Sequence, residues 1–171
     1  DGRISHALAQ GKILVSDVAA QRVAMLALPE EKPAAFLEIG AGRGTKTILL
    51  QSNAQRKYGS QMKHYTLDNH EFKARVLRER AEKYGIEVAD ALTLDATEMT
   101  AEDFPETFDA VFIDAPCSGL GTLRRHPEIR WRLNERGIEN LAAKGLKMLQ
   151  TAAALVNPGG RLTYSTCTVT K

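Results

Sequence analysis

Read residue by residue, the chain is an α/β protein with a doubly wound, mostly parallel sheet. Short apolar runs alternate with longer segments of helical period. A glycine-rich turn joins the first run to the first long helix of the core, and aspartates close later runs at Asp68, Asp95 and Asp114. Parallel strands joined by right-handed crossovers satisfy this order, and they put ligands beyond the carboxyl ends of the strands, where the winding reverses. The 171 residues suit one domain, and 43% hydrophobic with 26% charged residues is a globular composition.

The elements follow in order. From Ser16 to Leu28, apolar residues at Val18, Val23, Met25 and Leu26 describe a helix capped by Ser16 or Asp17 and closed before Pro29. Pro29 to Pro33 is a linker, so residues 1–33 form a helical lead-in and residues 34–171 the core. Strands are expected at Phe36 to Ile39, Tyr65 to Leu67, Val88 to Leu94, Ala110 to Ile113 and, after the turn Asn157-Pro158-Gly159-Gly160, at Arg161 to Tyr164. Helices are expected over Thr45 to Lys57, Glu71 to Tyr84 with Gly85 as its stop, and Leu141 to Val156. The charge run Lys73 to Lys83 reads as a solvated helix face. The expected strand order is 3-2-1-4-5.

Composition narrows the function. No apolar run approaches the roughly 20 residues of a membrane span, and the opening Asp1-Gly2-Arg3 is not a secretory leader, so a cytoplasmic location is expected. Cys117 and Cys167 are too few for a disulfide framework and lack the paired spacing of a metal site, so free thiols and no metal are expected. A net charge of +2 does not by itself identify a nucleic-acid partner, and nothing in the sequence reports oligomeric state.

The first strand runs into Glu38-Ile39-Gly40-Ala41-Gly42-Arg43-Gly44, a G-x-G-x-G turn that lets backbone approach a ligand. It lacks the dinucleotide spacing and the G-K-[ST] ending of a phosphate loop, so S-adenosylmethionine fits better than NAD or ATP. Taken singly, each aspartate reads as a turn former or helix cap. Together they form a row at the strand ends, with Asp68 suited to ribose hydroxyls and Asp95 to an adenine amine. Cys117 follows the fourth strand and Cys167 the fifth, so adjacent parallel strands bring both thiols to one crevice. A lone cysteine is usually a small buried hydrophobe, but two at neighbouring strand ends point to chemistry.

At Asp114 to Trp131, DAPCSGLGTLRRHPEIRW, and at Tyr164 to Thr168, YSTCT, the chain resembles the Sun/Nop2 (NOL1/NOP2/Sun) family of RNA cytosine-C5 methyltransferases. The resemblance covers most of the chain. It implies a Rossmann-like class I methyltransferase fold, S-adenosylmethionine as methyl donor with S-adenosylhomocysteine as product, and ribosomal or transfer RNA as substrate. It also implies that Cys167 is the covalent nucleophile and that Cys117 assists product release. C5 of cytosine is a poor nucleophile until a thiolate adds at C6, and a base must afterwards take the C5 proton. Asp114 can then hold the pyrimidine edge at N3 and the exocyclic amine. The family's first motif reads D-x-C-A-A-P-G-G-K-T, and its ungapped counterpart is Glu38 to Thr47, which carries cofactor binding onto Glu38, Gly40, Ala41, Gly42, Arg43, Gly44, Thr45, Lys46 and Thr47. The Pro-Gly pair has become Arg43-Gly44, a departure that loosens the carry-over atom by atom. Asp68, Asp95 and Asp114 align with the remaining cofactor-contacting acids. Family members continue past the fifth strand with two more strands, so a chain ending at Lys171 is expected to be a fragment lacking the last strands.

Arg124, Arg125, Arg130 and Arg132, continuing to Arg136, are expected to face RNA beside the catalytic loop. Trp131, by contrast, is expected to pack in the core. Two rival functions remain. A DNA cytosine-C5 methyltransferase would use the Pro-Cys residue Cys117 as nucleophile, but its Glu-Asn-Val element is missing here, with only Glu139-Asn140-Leu141 in its place. A noncatalytic RNA- or cofactor-binding module would have no need to retain both cysteines.

Overall fold

The computed structural model describes residues 2–169, so Asp1 and the last two residues of the 34–171 segment lie outside it. In chain order the elements are α1 (Gly2–Ala9), α2 (Val18–Leu26), β1 (Phe36–Ile39), α3 (Thr45–Tyr58), β2 (His64–Asp68), α4 (Glu71–Tyr84), β3 (Asp90–Thr93), β4 (Phe108–Asp114), α5 (Ile129–Arg132), α6 (Glu135–Ala153) and β5 (Val156–Ser165). The five strands lie in the order β3-β2-β1-β4-β5, and every pairing is parallel. The expected strand order is thus the observed one.

Register decides where the site lies. Ile39 of β1 pairs with Leu67 of β2 on one side and Ile113 of β4 on the other, and Asp114 pairs with Ser165 of β5. All five carboxyl ends therefore open on one edge, with the reversal of winding between β1 and β4. Alternation along the strands feeds two cores. Leu37, Ile39, Val111 and Ile113 pack with Met148 and Ala152 of α6, whereas Phe36, Ala110 and Phe112 pack with Ala24 of α2 and with Leu50 and Ala54 of α3.

Four elements depart from expectation. The Asn157-Gly160 turn is an excursion inside β5, because Phe108 pairs with Val156 while Ala110 pairs with Arg161. Pro158 has no N–H to give the ladder, Gly159 sits at φ 80°, and the Asn157 amide donates to Asp109 Oδ1 at 2.8 Å. Helix α6 begins six residues before the predicted Leu141, since the Asn134 carboxamide oxygen accepts from Gly137 N at 2.7 Å and starts it there. Helix α1 lies in the expected helical lead-in but before the Ser16 to Leu28 helix, and it and α5 are too short for a periodic signal of their own. Among the described residues no helix is long and apolar enough to cross a membrane.

Candidate active site

The turn after β1 is held at the edge of the sheet by its backbone. Gly40 N and Ala41 N both donate to Leu67 O, at 2.8 and 3.1 Å, and Gly42 N donates to Asp68 Oδ2 at 3.1 Å. Gly40 has φ 80° and lies so close to β4 that a Cβ there would fall on the Asp114 carbonyl oxygen. Glycine is required at that position both by its left-handed conformation and by this close approach. A cavity of about 330 Å³ opens in front of the turn. Gly40, Gly42, Asp68, Asp95, Asp114, Cys117 and Cys167 all line it, between apolar walls from Leu67, Leu94 and Met148.

The other residues assigned to the loop do different work. Glu38 is fully buried beneath it, accepting from Thr47 Oγ1 at 2.7 Å and standing 3.1 Å from His64 Nε2. Ala41 packs against Ala74 and Leu77. Arg43 lies over the Phe72 ring at 5.7 Å, and its carbonyl, like Thr45 Oγ1, accepts from Arg80. Gly44 caps α3 at φ 82°. Lys46 reaches across to donate to Asp114 Oδ2 at 2.7 Å, which ties the loop to the end of β4. The charge run on α4 is likewise more than a solvated face, because Lys73 lines the cavity and pairs with Asp68 at 3.2 Å. Lys73 and Lys144 had no sequence signal, since a lysine on an exposed helix and one reaching a cavity look alike in one dimension.

Asp68 is buried and accepts from Gly42 N and, at 3.1 Å, from His70 N. Asp95 is exposed at the rim; hydrogen bonds from the Thr97 backbone and hydroxyl, with the charge of Lys144 beyond, hold its carboxyl below the usual range.

At the far wall the two thiols meet. The sulfur atoms of Cys117 and Cys167 are 3.2 Å apart, and Cys167 N also donates to the Cys117 sulfur at 3.2 Å. Both are free cysteines. Ala115 N donates to Ser165 O at 2.9 Å and Gly121 N to Cys167 O at 2.9 Å, so the loop after β4 and the end of β5 are stitched together. The Cys167 thiol is pushed up to about 11, first by burial and then by the hydrogen bond and charge of Cys117 and the charge of Asp114, with Lys46 opposing. A second, smaller cavity of about 170 Å³ lies behind, and Cys117, Ile138 and Tyr164 line it. Cys117 is thus a wall shared by both spaces.

Arg124, Arg125, Arg130 and Arg132 are placed on the following loop and α5, at the surface. Arg125 forms an ion pair with Asp17 at the start of α2. Trp131 corrects the sequence expectation: it is 87% exposed and not in the core. The α5 turn is a single four-residue helix with no buried residue, so it has no apolar face to turn inward.

A family model described as 16S rRNA methyltransferase RsmB/F matches residues 23–171. The chain belongs to this family. Curated RsmB/F-type relatives include the probable ribosomal RNA small subunit methyltransferase B of Bacillus subtilis (strain 168), 32% identical over 165 residues that cover 96% of this chain and 36% of that protein. The ribosomal RNA small subunit methyltransferase B of Thermus thermophilus is 44% identical over 75 residues, covering 44% of this chain and 19% of its own length. The chain therefore spans about a third of the length of the first of these relatives. Among solved structures, PH0851 superposes with a TM-score of 0.85 at 32% identity, covering 99% of this chain and 37% of its own. NSun6 from Pyrococcus horikoshii, crystallised with SFG, has a TM-score of 0.80 at 22% identity, covering 96% of this chain and 40% of its own, and shares the fold.

Proposed function

We propose that this chain is the catalytic core of an S-adenosylmethionine-dependent RNA cytosine-C5 methyltransferase, acting on ribosomal RNA in the cytoplasm. The observation that carries the reading is a pair of free thiols 3.2 Å apart on the wall of a cavity lined by glycine backbone and strand-end carboxylates. Family membership and the relatives' names support ribosomal over transfer RNA. In this reading residues 34–171 form the cofactor-binding core, and residues 1–33 lead into it.

The cavity suits the cofactor. Its volume of about 330 Å³ falls in the range of small-molecule sites, and its walls are apolar with acids at intervals. Asp68 and Asp95 would hold the ribose and adenine ends, with the Gly40 and Gly42 backbone beneath. When bound, S-adenosylmethionine supplies the electrophilic methyl group that C5 of cytosine takes.

The chain's own residues handle the base. Asp114 accepts from the exocyclic amine of cytosine, and Lys46 holds that carboxylate in place. The Cys167 thiol gives up its proton as its sulfur adds to C6, forming an S–C6 bond and turning C5 into an enamine carbon, and the proton is carried on N3 of the base until release returns it to Cys167. After methylation Cys117 removes the C5 proton, the C5–C6 double bond reforms, and the S–C6 bond breaks to release Cys167. At rest Cys167 keeps its proton, because burial and two neighbouring acids disfavour a thiolate. Drawing Asp114 onto the base weakens one of those influences. Arg124, Arg130 and Arg132 face the RNA backbone, with Trp131 exposed among them.

The test is covalent trapping. The protein, Cys117→Ala and Cys167→Ala are each incubated with S-adenosylmethionine and ribosomal RNA. Adduct should accumulate in Cys117→Ala and be absent in Cys167→Ala. The reverse pattern makes Cys117 the nucleophile, as in DNA cytosine methyltransferases, whereas no adduct and no methyl transfer in any form points to a noncatalytic binding module.

A further inference from the structure

Beyond the two cavities at the thiols, a third hollow of about 500 Å³ opens between the loop after β4 and the start of α6. Its floor is apolar, from Leu120, Leu133 and Ile138, and its rim carries Arg130, Glu135 and Glu139. Ile138 also walls the smaller inner cavity, and Cys117 joins that cavity to the cofactor space. The three spaces therefore lie side by side, with Ile138 as the wall between the outer hollow and the inner cavity and Cys117 between that cavity and the cofactor space.

Two exposed glutamates share this rim. They stand four residues apart on one face of α6, where like charges repel and destabilise the helix. Among the described residues neither carboxylate has a hydrogen-bond or ion-pair partner. Acidic groups on this rim repel phosphate, so the hollow does not suit the RNA backbone. It suits an uncharged group that offers hydrogen-bond donors and a flat apolar face, which describes an unstacked base.

The two carboxylates offer only acceptors, and the Asn134 carboxamide beside them has its oxygen taken by Gly137 N, so its NH2 group is the donor on that side. Guanine alone presents two adjacent donors, N1–H and the N2 amine, to one carboxylate. Uracil offers a single donor flanked by carbonyl oxygens that the glutamates would repel, and adenine and cytosine each offer one amine beside an acceptor. Resting on the methyltransferase reading above, we propose that this hollow binds the nucleotide next to the target cytosine and that Glu135 and Glu139 select guanine there, with Arg130 meeting its phosphate.

The experiment uses the full chain and its Glu135→Gln/Glu139→Gln double variant. The probes are fluorescent RNA hexamers holding one cytosine, with each flanking position set in turn to guanine, adenine, uracil or inosine. Affinity is read by anisotropy, and methyl transfer is read from radiolabelled S-adenosylmethionine. Guanine at one flanking position should bind about tenfold tighter than adenine or uracil, the scale of one good bidentate base contact. Inosine, lacking the N2 amine, should lose part of that gain. In the double variant the guanine-to-adenine ratio should fall to within about twofold of one. The ratio is the readout, because removing two negative charges strengthens binding of every RNA. An even ratio in the unmodified chain, or a preference that survives the double substitution, overturns the proposal. Methyl transfer without guanine preference sinks the hollow and leaves the thiol reading standing. Preference without methyl transfer does the opposite, and no RNA binding at all overturns both.

Discussion

Cys167 is guarded by its surroundings. Burial, the adjacent Cys117 and the charge of Asp114 together raise its thiol to about 11, so at neutral pH it is almost wholly protonated. Because the thiolate is the reactive form, the rate of Cys167 alkylation by iodoacetamide should climb about tenfold per pH unit between pH 7 and 9, without levelling off. Cys117→Ala removes one hydrogen bond and one charge but leaves the burial, so the same rate should be reached at lower pH. Site-resolved mass spectrometry checks both, and a plateau near pH 8 in the unmodified chain would contradict the account. Glu38 teaches a different lesson at this scale. It aligns with a cofactor motif, yet its side chain accepts from Thr47 and stands beside His64 under the loop, because Glu38, one place before Ile39 in β1, points to the opposite sheet face from it.

Helix α6 is where local chemistry and site geometry join. Its first two turns carry the two glutamates of the outer hollow, and its start depends on Asn134 as cap. Asn134→Ala should cost about 1 kcal/mol, seen as a fall of roughly 2–4 °C in Tm, whereas Asn134→Gly should lose only a few tenths. Equal losses for the two would mean that the cap is not what starts the helix. This helix also marks the limit of legibility. The glycine turn, the strand-end acids and the meeting of Cys117 with Cys167 followed from sequence, because apolar alternation specifies strands and parallel order specifies their ends. The start of α6 did not, since Glu135-Arg136-Gly137 has no apolar period and its helical state rests on one side-chain hydrogen bond. The exposure of Trp131 was equally hidden, because aromatic character argues for burial and only the shortness of α5 overrules it.

Across the whole molecule, charge is nearly balanced at +2, and the exposed arginines proposed to meet RNA sit on one loop and its short helix. Binding should therefore depend on few phosphates. If Arg124, Arg130 and Arg132, with or without Arg125, each neutralise one, the slope of log affinity against log salt for single-stranded RNA should lie at about −2 to −3. A slope near zero would remove these arginines from the interface, and a slope twice as steep would call for a wider basic surface. The same loop donates the Gly121 N–H to the Cys167 carbonyl. One amide proton thus connects the arginine-bearing loop, proposed to meet RNA, to Cys167, proposed to attack it. On the proposed function, a displacement of either end is expected to shift the other, which would couple arrival of the polymer to aiming of the sulfur. An RNA offering no cytosine would still change how fast Cys167 is alkylated, and the nucleophile itself becomes a clock for the encounter.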